Sequence, residues 1–255
     1  MKSLLYSLLL IALLFSCSKK QENFNADPTL ILKDFNSWWG YTSQNIVLSE
    51  DFTAFDQSSK TIGRSEFLDS LASGKFVTFK LATSDSTIKY KLYKLPLNTD
   101  NSIGSQMRAI GEDEKRKMAM EGTEISDFNF IDVEGNIYNV KNTQGKIVVV
   151  KCWFIHCGAC VKEMPALNEM VEKYKKRRDI VFISLAYDTK EELRKFLQTT
   201  KFEYAVIPVT VDYLENKLNI SEYPTHFVVN KNGKISRFAK TCKEIESILK
   251  RELLK

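Results

Sequence analysis

Residues 148–165, VVVKCWFIHCGACVKEMP, run from apolar sequence into two cysteines two residues apart, and then at once into helical sequence. The run Ile147–Phe154 is nearly continuous in apolar character, as expected of a strand covered on both faces. From Cys157 the beat changes, and Val161, Met164, Leu167, Val171 and Tyr174 fall on one helical stripe. Cys157 therefore stands where a strand gives way to a helix, among unpaired backbone N–H groups and the positive end of the helix dipole. A thiol there ionises more readily than a free one, and only the thiolate is a nucleophile. Cys160 faces the same side one turn later and can reach back to it. The spacing supplies an attacking thiolate and a resolving thiol that turns a mixed disulfide into an internal one.

The competing use of such a pair is half of a zinc site. Two further ligands would be needed, but only single cysteines and two histidines remain, with no second C-x-x-C. No metal or other cofactor is expected.

The amino-terminal end is equally specific. Met1-Lys2 precede SLLYSLLLIALLFS, then Cys17, then the polar run SKKQEN. The apolar part is short for a bilayer span and follows a charge, so it reads as a secretory signal. Leu14-Phe15-Ser16-Cys17 resembles the lipobox of bacterial lipoproteins. That resemblance implies lipidation of Cys17 and a membrane-anchored protein facing the periplasm; the alternative is an uncleaved anchor or conventional cleavage nearby. An exported chain can keep disulfides. Of its five cysteines, one is then for lipid, two form the close pair, and Cys152 and Cys242 stand singly. Cys152 reads as a small core hydrophobe and Cys242, at the start of a helix, as a bystander.

The 255 residues suffice for two small domains with real cores. Residues 1–17 are the signal, 18–27 a polar tether and 28–97 a small α+β domain of unassigned role. Within it, 65–74 reads as a helix burying Phe67, Leu68 and Leu71, 76–95 as two strands, and 38–48 as strand or helix, with Trp38 and Trp39 as core. Residues 98–120 read as a polar, helix-prone linker. From 121 to 255 strands and helices alternate. A hairpin turns about Glu134-Gly135, and strands cover 147–154, 180–186, 204–209 and 225–230. Thr189-x-x-Glu192 and Thr241-x-x-Glu244 read as capping boxes, and Asn232-Gly233 as a tight turn. The pattern gives an α/β mixed sheet with helices on both faces. The charge of +5 is spread thinly, and KYKKRR (173–178) reads as a helix end, so nucleic-acid binding is not expected.

KIVVVKCWFIHCGACVKEMP, with EYPTHFVVNKNGKI downstream, resembles the thioredoxin superfamily, closest to its TlpA/ResA-like branch of membrane-tethered thiol–disulfide oxidoreductases. The resemblance covers about residues 121–255. It implies that Cys157 is the exposed nucleophile and Cys160 its buried partner, that Trp153 leads into the site, and that Pro165 kinks the active-site helix. It further implies that Pro224, preceded by Tyr223, is a cis-proline facing the disulfide, where an extended substrate pairs. Protein thiols and disulfides would be the substrates, and a membrane electron donor the partner of a reductant.

The chain departs from the pattern at Lys151, where thioredoxins carry a buried acid. A neutral lysine there would take a proton, a charged one would favour thiolate, and one that snorkels out would do neither. Glu163 reads as an acid/base or as ordinary helix-surface solvation. His156, just before the nucleophile, and His226, two residues past Pro224, read as groups that tune its ionisation. Two other functions are weighed: a thiol-dependent peroxidase of the peroxiredoxin type, and a binding lipoprotein whose N-terminal domain does the work.

Overall fold

The computed structural model describes residues 23–125 and 128–255, so the lipobox-like segment and Cys17 lie outside the described residues. The first unit opens with helices α1 (Pro28–Ile31) and α2 (Phe35–Asn45). The ambiguous stretch beginning at Trp38 is thus helical to Asn45, and Asp34 caps it by accepting from the Ser37 N–H at 2.7 Å. Trp38 is buried as core, whereas Trp39 is 42 % exposed and stacks on Phe35. Strands β1 (Thr53–Phe55) and β2 (Thr61–Ile62), helix α3 (Arg64–Ala72), and strands β3 (Phe76–Lys80) and β4 (Lys89–Lys94) follow. The four strands form one sheet in the order β2-β1-β4-β3, on which Phe67, Leu68 and Leu71 of α3 are buried as expected.

Residues 98–120 are not a linker. They hold the long helix α4 (Asn101–Met120), capped by Asp100, with Ile103 and Met107 fully buried in the same core as Trp38 and Phe79. Polar composition hid it, because its apolar stripe is narrow and interrupted by glycines. Those glycines are the reason the helix packs. A Cβ at Gly111 would lie 2.4 Å from the Ala72 backbone nitrogen, and one at Gly104 would lie 2.8 Å from the Gly74 carbonyl oxygen.

The second unit begins with hairpin strands β5 (Asn129–Ile131) and β6 (Ile137–Asn139). The turn forms at Glu134-Gly135, where Gly135 has φ +97° and the Asp132 carboxylate accepts from the Glu134 and Asn136 N–H groups. A short helix α5 (Val140–Thr143) leads into β7 (Ile147–Trp153), buried along its whole length. Then come α6 (Gly158–Lys162), α7 (Met164–Tyr174), β8 (Ile180–Ala186), α8 (Lys190–Leu197), β9 (Ala205–Pro208) and a π-helical turn at Tyr213–Lys217. Strands β10 (Thr225–Val229) and β11 (Ile235–Ala239) and helix α9 (Cys242–Leu253) complete the chain. The sheet order is β11-β10-β7-β8-β9, with β7 parallel to β8 and antiparallel to β10.

Strand alternation assigns the faces. Val148, Val150 and Cys152 point into one layer with Leu214, Leu218 and Phe227. Ile147 and Val149 point to the other, beneath α7 and α9, with Leu167, Ile245 and Ile248. Lys151 and Trp153 share the parity of that second face. The Thr189 capping box forms in full. The one expected at Thr241 forms only in half: Glu244 turns its carboxylate to the Lys240 N–H and to Ser49 of the first unit. That contact belongs to a polar seam. Arg237 meets Asp51 at 2.7 Å, Arg251 meets Glu50 at 3.0 Å, and Arg64 meets Glu121 at 2.7 Å.

Replacing Gly111 by Ala should push α4 off α3 and lower the unfolding free energy by about 1–3 kcal/mol, the usual cost of overpacking a fitted contact. Thermal unfolding of Gly111→Ala checks this, and an unchanged melting temperature refutes the close-approach argument.

Candidate functional site

β7 ends at Trp153, and residues 154–156 carry the chain past the carboxyl end of this central strand. The turn is held by Cys157 N–H donating to the Phe154 carbonyl at 3.1 Å and by Ile155 N–H donating to the Asp188 carboxylate at 2.9 Å. Cys157 is the N-cap of α6, and Cys160 N–H points at its Sγ from 3.2 Å. The two cysteines are joined as a disulfide, with Cα atoms 5.2 Å apart. They are unequal. Cys157 keeps 8 % of its surface open, and Cys160 keeps none. Because α6 is only five residues long, the favourable field at Cys157 comes from this nearby N–H rather than from a long macrodipole.

Behind Cys160 lies a buried charge cluster. Lys151 is fully buried, so it does not snorkel out. Its ammonium donates to the Cys160 carbonyl at 3.2 Å and pairs closely with Oε1 of Glu163. His226, fully buried and directly opposite Lys151 in the β7–β10 register, places Nε2 2.9 Å from that same oxygen. Glu163 is therefore no solvated surface group. It occupies the break between α6 and α7, its side chain only 16 % exposed, with Pro165 just inside the second helix. Among the described residues no hydrogen bond goes to its second oxygen, Oε2.

The electrostatics are those of a desolvated but paired set. Burial pushes the Glu163 carboxyl up, but the hydrogen bond from His226 together with the hydrogen bond and charge of Lys151 outweigh it and hold the group below the usual carboxylate range. Burial lowers Lys151 against the opposing pull of Glu163, and lowers His226 in the same way. The His226 Nδ1 atom is buried without a partner, which assigns the neutral tautomer with the hydrogen on Nε2. Of the two histidines, His226 thus sits behind the disulfide rather than on its open side. His156 is exposed and outside the cluster.

On the open side, the Tyr223–Pro224 bond is cis, and both residues are half-buried. Tyr223 packs edge-on against Phe154, with ring centroids 5.4 Å apart, and Tyr187 stacks on Phe154 at 4.8 Å. Trp153 is fully buried between Phe196 and Phe202 and shapes the site from beneath. Sequence reading missed Phe154, Tyr187 and Asp188. The available signal was topological: β8 runs parallel to β7, so residues just past its end must lie beside those just past β7. Burial raises the Cys152 thiol strongly, and pushes the half-buried Cys242 thiol up to about 11. Among the described residues, no group of three or more His, Cys, Asp or Glu is arranged to hold a metal ion. The apolar cavity of about 550 Å³ under the β5–β6 hairpin lies on the Val148 face of the sheet, across from the disulfide.

The sequence is similar to several known proteins. A family described as thioredoxin-like matches residues 145–235. The thiol–disulfide oxidoreductase ResA of Bacillus cereus is 30 % identical over 125 residues, 48 % of this chain and 70 % of that protein. ResA of Geobacillus kaustophilus is 27 % identical over 124 residues, 49 % of this chain and 71 % of that protein. Among solved structures, the thioredoxin domain of a thiol–disulfide oxidoreductase from Bacteroides vulgatus is 22 % identical with a TM-score of 0.45, covering 51 % of this chain and 96 % of that one.

After reduction, mild alkylation at neutral pH should label Cys157 first and Cys242 far more slowly, and should leave Cys152 unlabelled until the protein unfolds. Peptide mapping over time checks the order. Labelling of Cys152 at the rate of Cys157 in the folded protein contradicts the burial argument.

Proposed function

The chain belongs to the thioredoxin-like family of ResA-type thiol–disulfide oxidoreductases, and from that premise we propose which of its groups carry the exchange, where, and in which direction. Cys157 is the nucleophile. The observation that carries this is its place as a partly open N-cap with the Cys160 N–H aimed at its sulfur, over a Cys160 that has no exposed surface. Its thiolate attacks one sulfur of a substrate disulfide and the substrate S–S bond breaks, leaving a mixed disulfide. Cys160 then gives its proton to Glu163 and attacks the Cys157 sulfur. The bond from Cys157 to the substrate breaks, and the substrate leaves reduced by two electrons while the enzyme is left as the internal disulfide.

Glu163 is the acid/base of this cycle. The carboxylate that thioredoxins place on the strand is here supplied from the helix break, and Lys151 fills the strand position. The substrate lies extended along Tyr223-Pro224, where the half-buried aromatic group of Phe154, Tyr187 and Tyr223 flanks the disulfide. The working direction is reductive, with a membrane partner returning electrons to Cys157–Cys160. The protein is exported and held at the membrane, facing the periplasm, by a lipid on Cys17.

A Cys160→Ser variant expressed in cells should accumulate mixed disulfides with envelope proteins in the membrane fraction. Those adducts should vanish on reduction and be absent from Cys157→Ser. Changing Cys17 to Ser as well should move them to the soluble fraction. Absence of adducts overturns the exchange assignment; adducts that stay on the membrane without Cys17 overturn the anchor alone.

A further inference from the structure

Two donors, Lys151 Nζ and His226 Nε2, converge on a single oxygen of Glu163, while the other oxygen accepts no hydrogen bond among the described residues. Of these three groups only Glu163 has exposed surface, and it lines an open groove between the α6–α7 break and the head of α9, with Ala159, Lys162 and Cys242. Ala159 lies between the two cysteines, so the groove runs behind the disulfide rather than over the cis-proline side. We propose that Lys151 and His226 are positioning residues for thiol–disulfide exchange, a two-point clamp that pins Oε1 of Glu163 and leaves Oε2 to carry the Cys160 proton to solvent through this groove. The inference rests on the acid/base role of Glu163 given above.

The clamp divides the work of one carboxylate. A carboxylate free to rotate in a buried site offers either oxygen to either donor, and its geometry toward the sulfur is lost. Two donors on Oε1, one from each of two paired strands, fix both rotation and ionisation. The Lys151 ammonium also holds the Cys160 carbonyl, so acceptor and resolving residue are fixed to one point. His226 takes part as a neutral donor, since its Nδ1 has no partner to accept a second hydrogen. The proton path closes without an outside reagent: the Cys160 S–H bond breaks, Oε2–H forms, and the hydrogen passes to water in the groove.

The charged and titratable groups around Glu163 are Lys151 and Cys152 on β7, Cys160 and Lys162 on α6, Glu169 and Lys173 on α7, His226 on β10, Tyr204 ahead of β9, and Cys242, Lys243, Glu244 and Glu246 on α9. Of these, Lys151 and His226 lower the carboxyl, and burial raises it. The base is lost as pH falls through the Glu163 value. Removing a clamp donor raises that value, so the acid limb of Cys160 attack moves to higher pH.

The test follows two colour releases when reduced full-length protein meets stoichiometric 5,5′-dithiobis(2-nitrobenzoate). The first thionitrobenzoate reports Cys157 attack, and the second reports displacement by Cys160. In His226→Leu the acid limb of the second phase should move up by about one pH unit. His226→Gln, which restores an N–H donor without an imidazole, should keep the wild-type limb, and Glu163→Gln should abolish it. Each profile is paired with a melting temperature; if His226→Leu does not fold, Lys151→Met carries the comparison with Lys151→Arg as its conservative counterpart. Equal profiles for the Leu and Gln variants, or an intact limb in Glu163→Gln, overturn the clamp. Absence of any second phase in wild type overturns the exchange reading itself.

Discussion

A lysine ammonium in the central strand of a covered sheet must be paired, and the arrangement around the disulfide depends on how Lys151 is paired. Desolvating such a charge costs several kcal/mol, and leaving it alone after removing its partner costs about 3–5 kcal/mol. Glu163 is that partner. To reach the lysine, the carboxylate must enter from above the sheet, at the place where α6 stops and α7 starts. The same lysine holds the Cys160 carbonyl, so the short helix carrying Cys160 is tied to the strand beneath by one ammonium.

The position of the negative charge follows from this pairing. Residue 151 faces the layer under α6 and α7, next to Cys160. An acid at that point on the strand would serve the sulfur directly. With a cation there instead, the acid must come from the helix, and it arrives already compensated by Lys151 and by the neutral donor His226. A carboxylate so compensated stays ionised despite its burial. The site keeps a negative charge behind Cys160 while leaving the sheet interior close to neutral.

The first unit bears on this site through the edge of the sheet. β11 is an edge strand, and unpaired edges invite pairing with other chains. Here residues 122–124 pair with it, Gly122 donating to Ile235 and Ile235 to Thr123, and α4 packs alongside. Met120 of α4 packs against an apolar cluster of the second unit, and much of the remaining contact is a seam of charged and polar pairs. Lys240, within 4 Å of Glu114 on α4 and of Glu222 just before the cis-proline, links the first unit to the cis-proline side of the second. This polar character matches interfaces between domains rather than a shared core, since each unit has its own apolar clusters.

Local sequence determined the elements whose signals are local. The apolar run of β7, the stripe on α7, the turn at Glu134-Gly135, the Thr189 cap and the cysteine spacing all report on residues within a few positions of one another, where backbone geometry sets the pattern. Helix α4 escaped because what makes it a packed helix is a set of glycines fitted to Ala72 and Gly74, contacts made across some 30 to 40 residues of chain. The redox pair was legible, but the groups behind it were ambiguous in isolation. Lys151 suited a snorkelling cation, Glu163 a solvated helix face and His226 a position beside the nucleophile. Only tertiary structure decided otherwise, because strand register sets Lys151 opposite His226 and the helix break lowers Glu163 onto both, and burial then forces three separate charges and dipoles to satisfy one another.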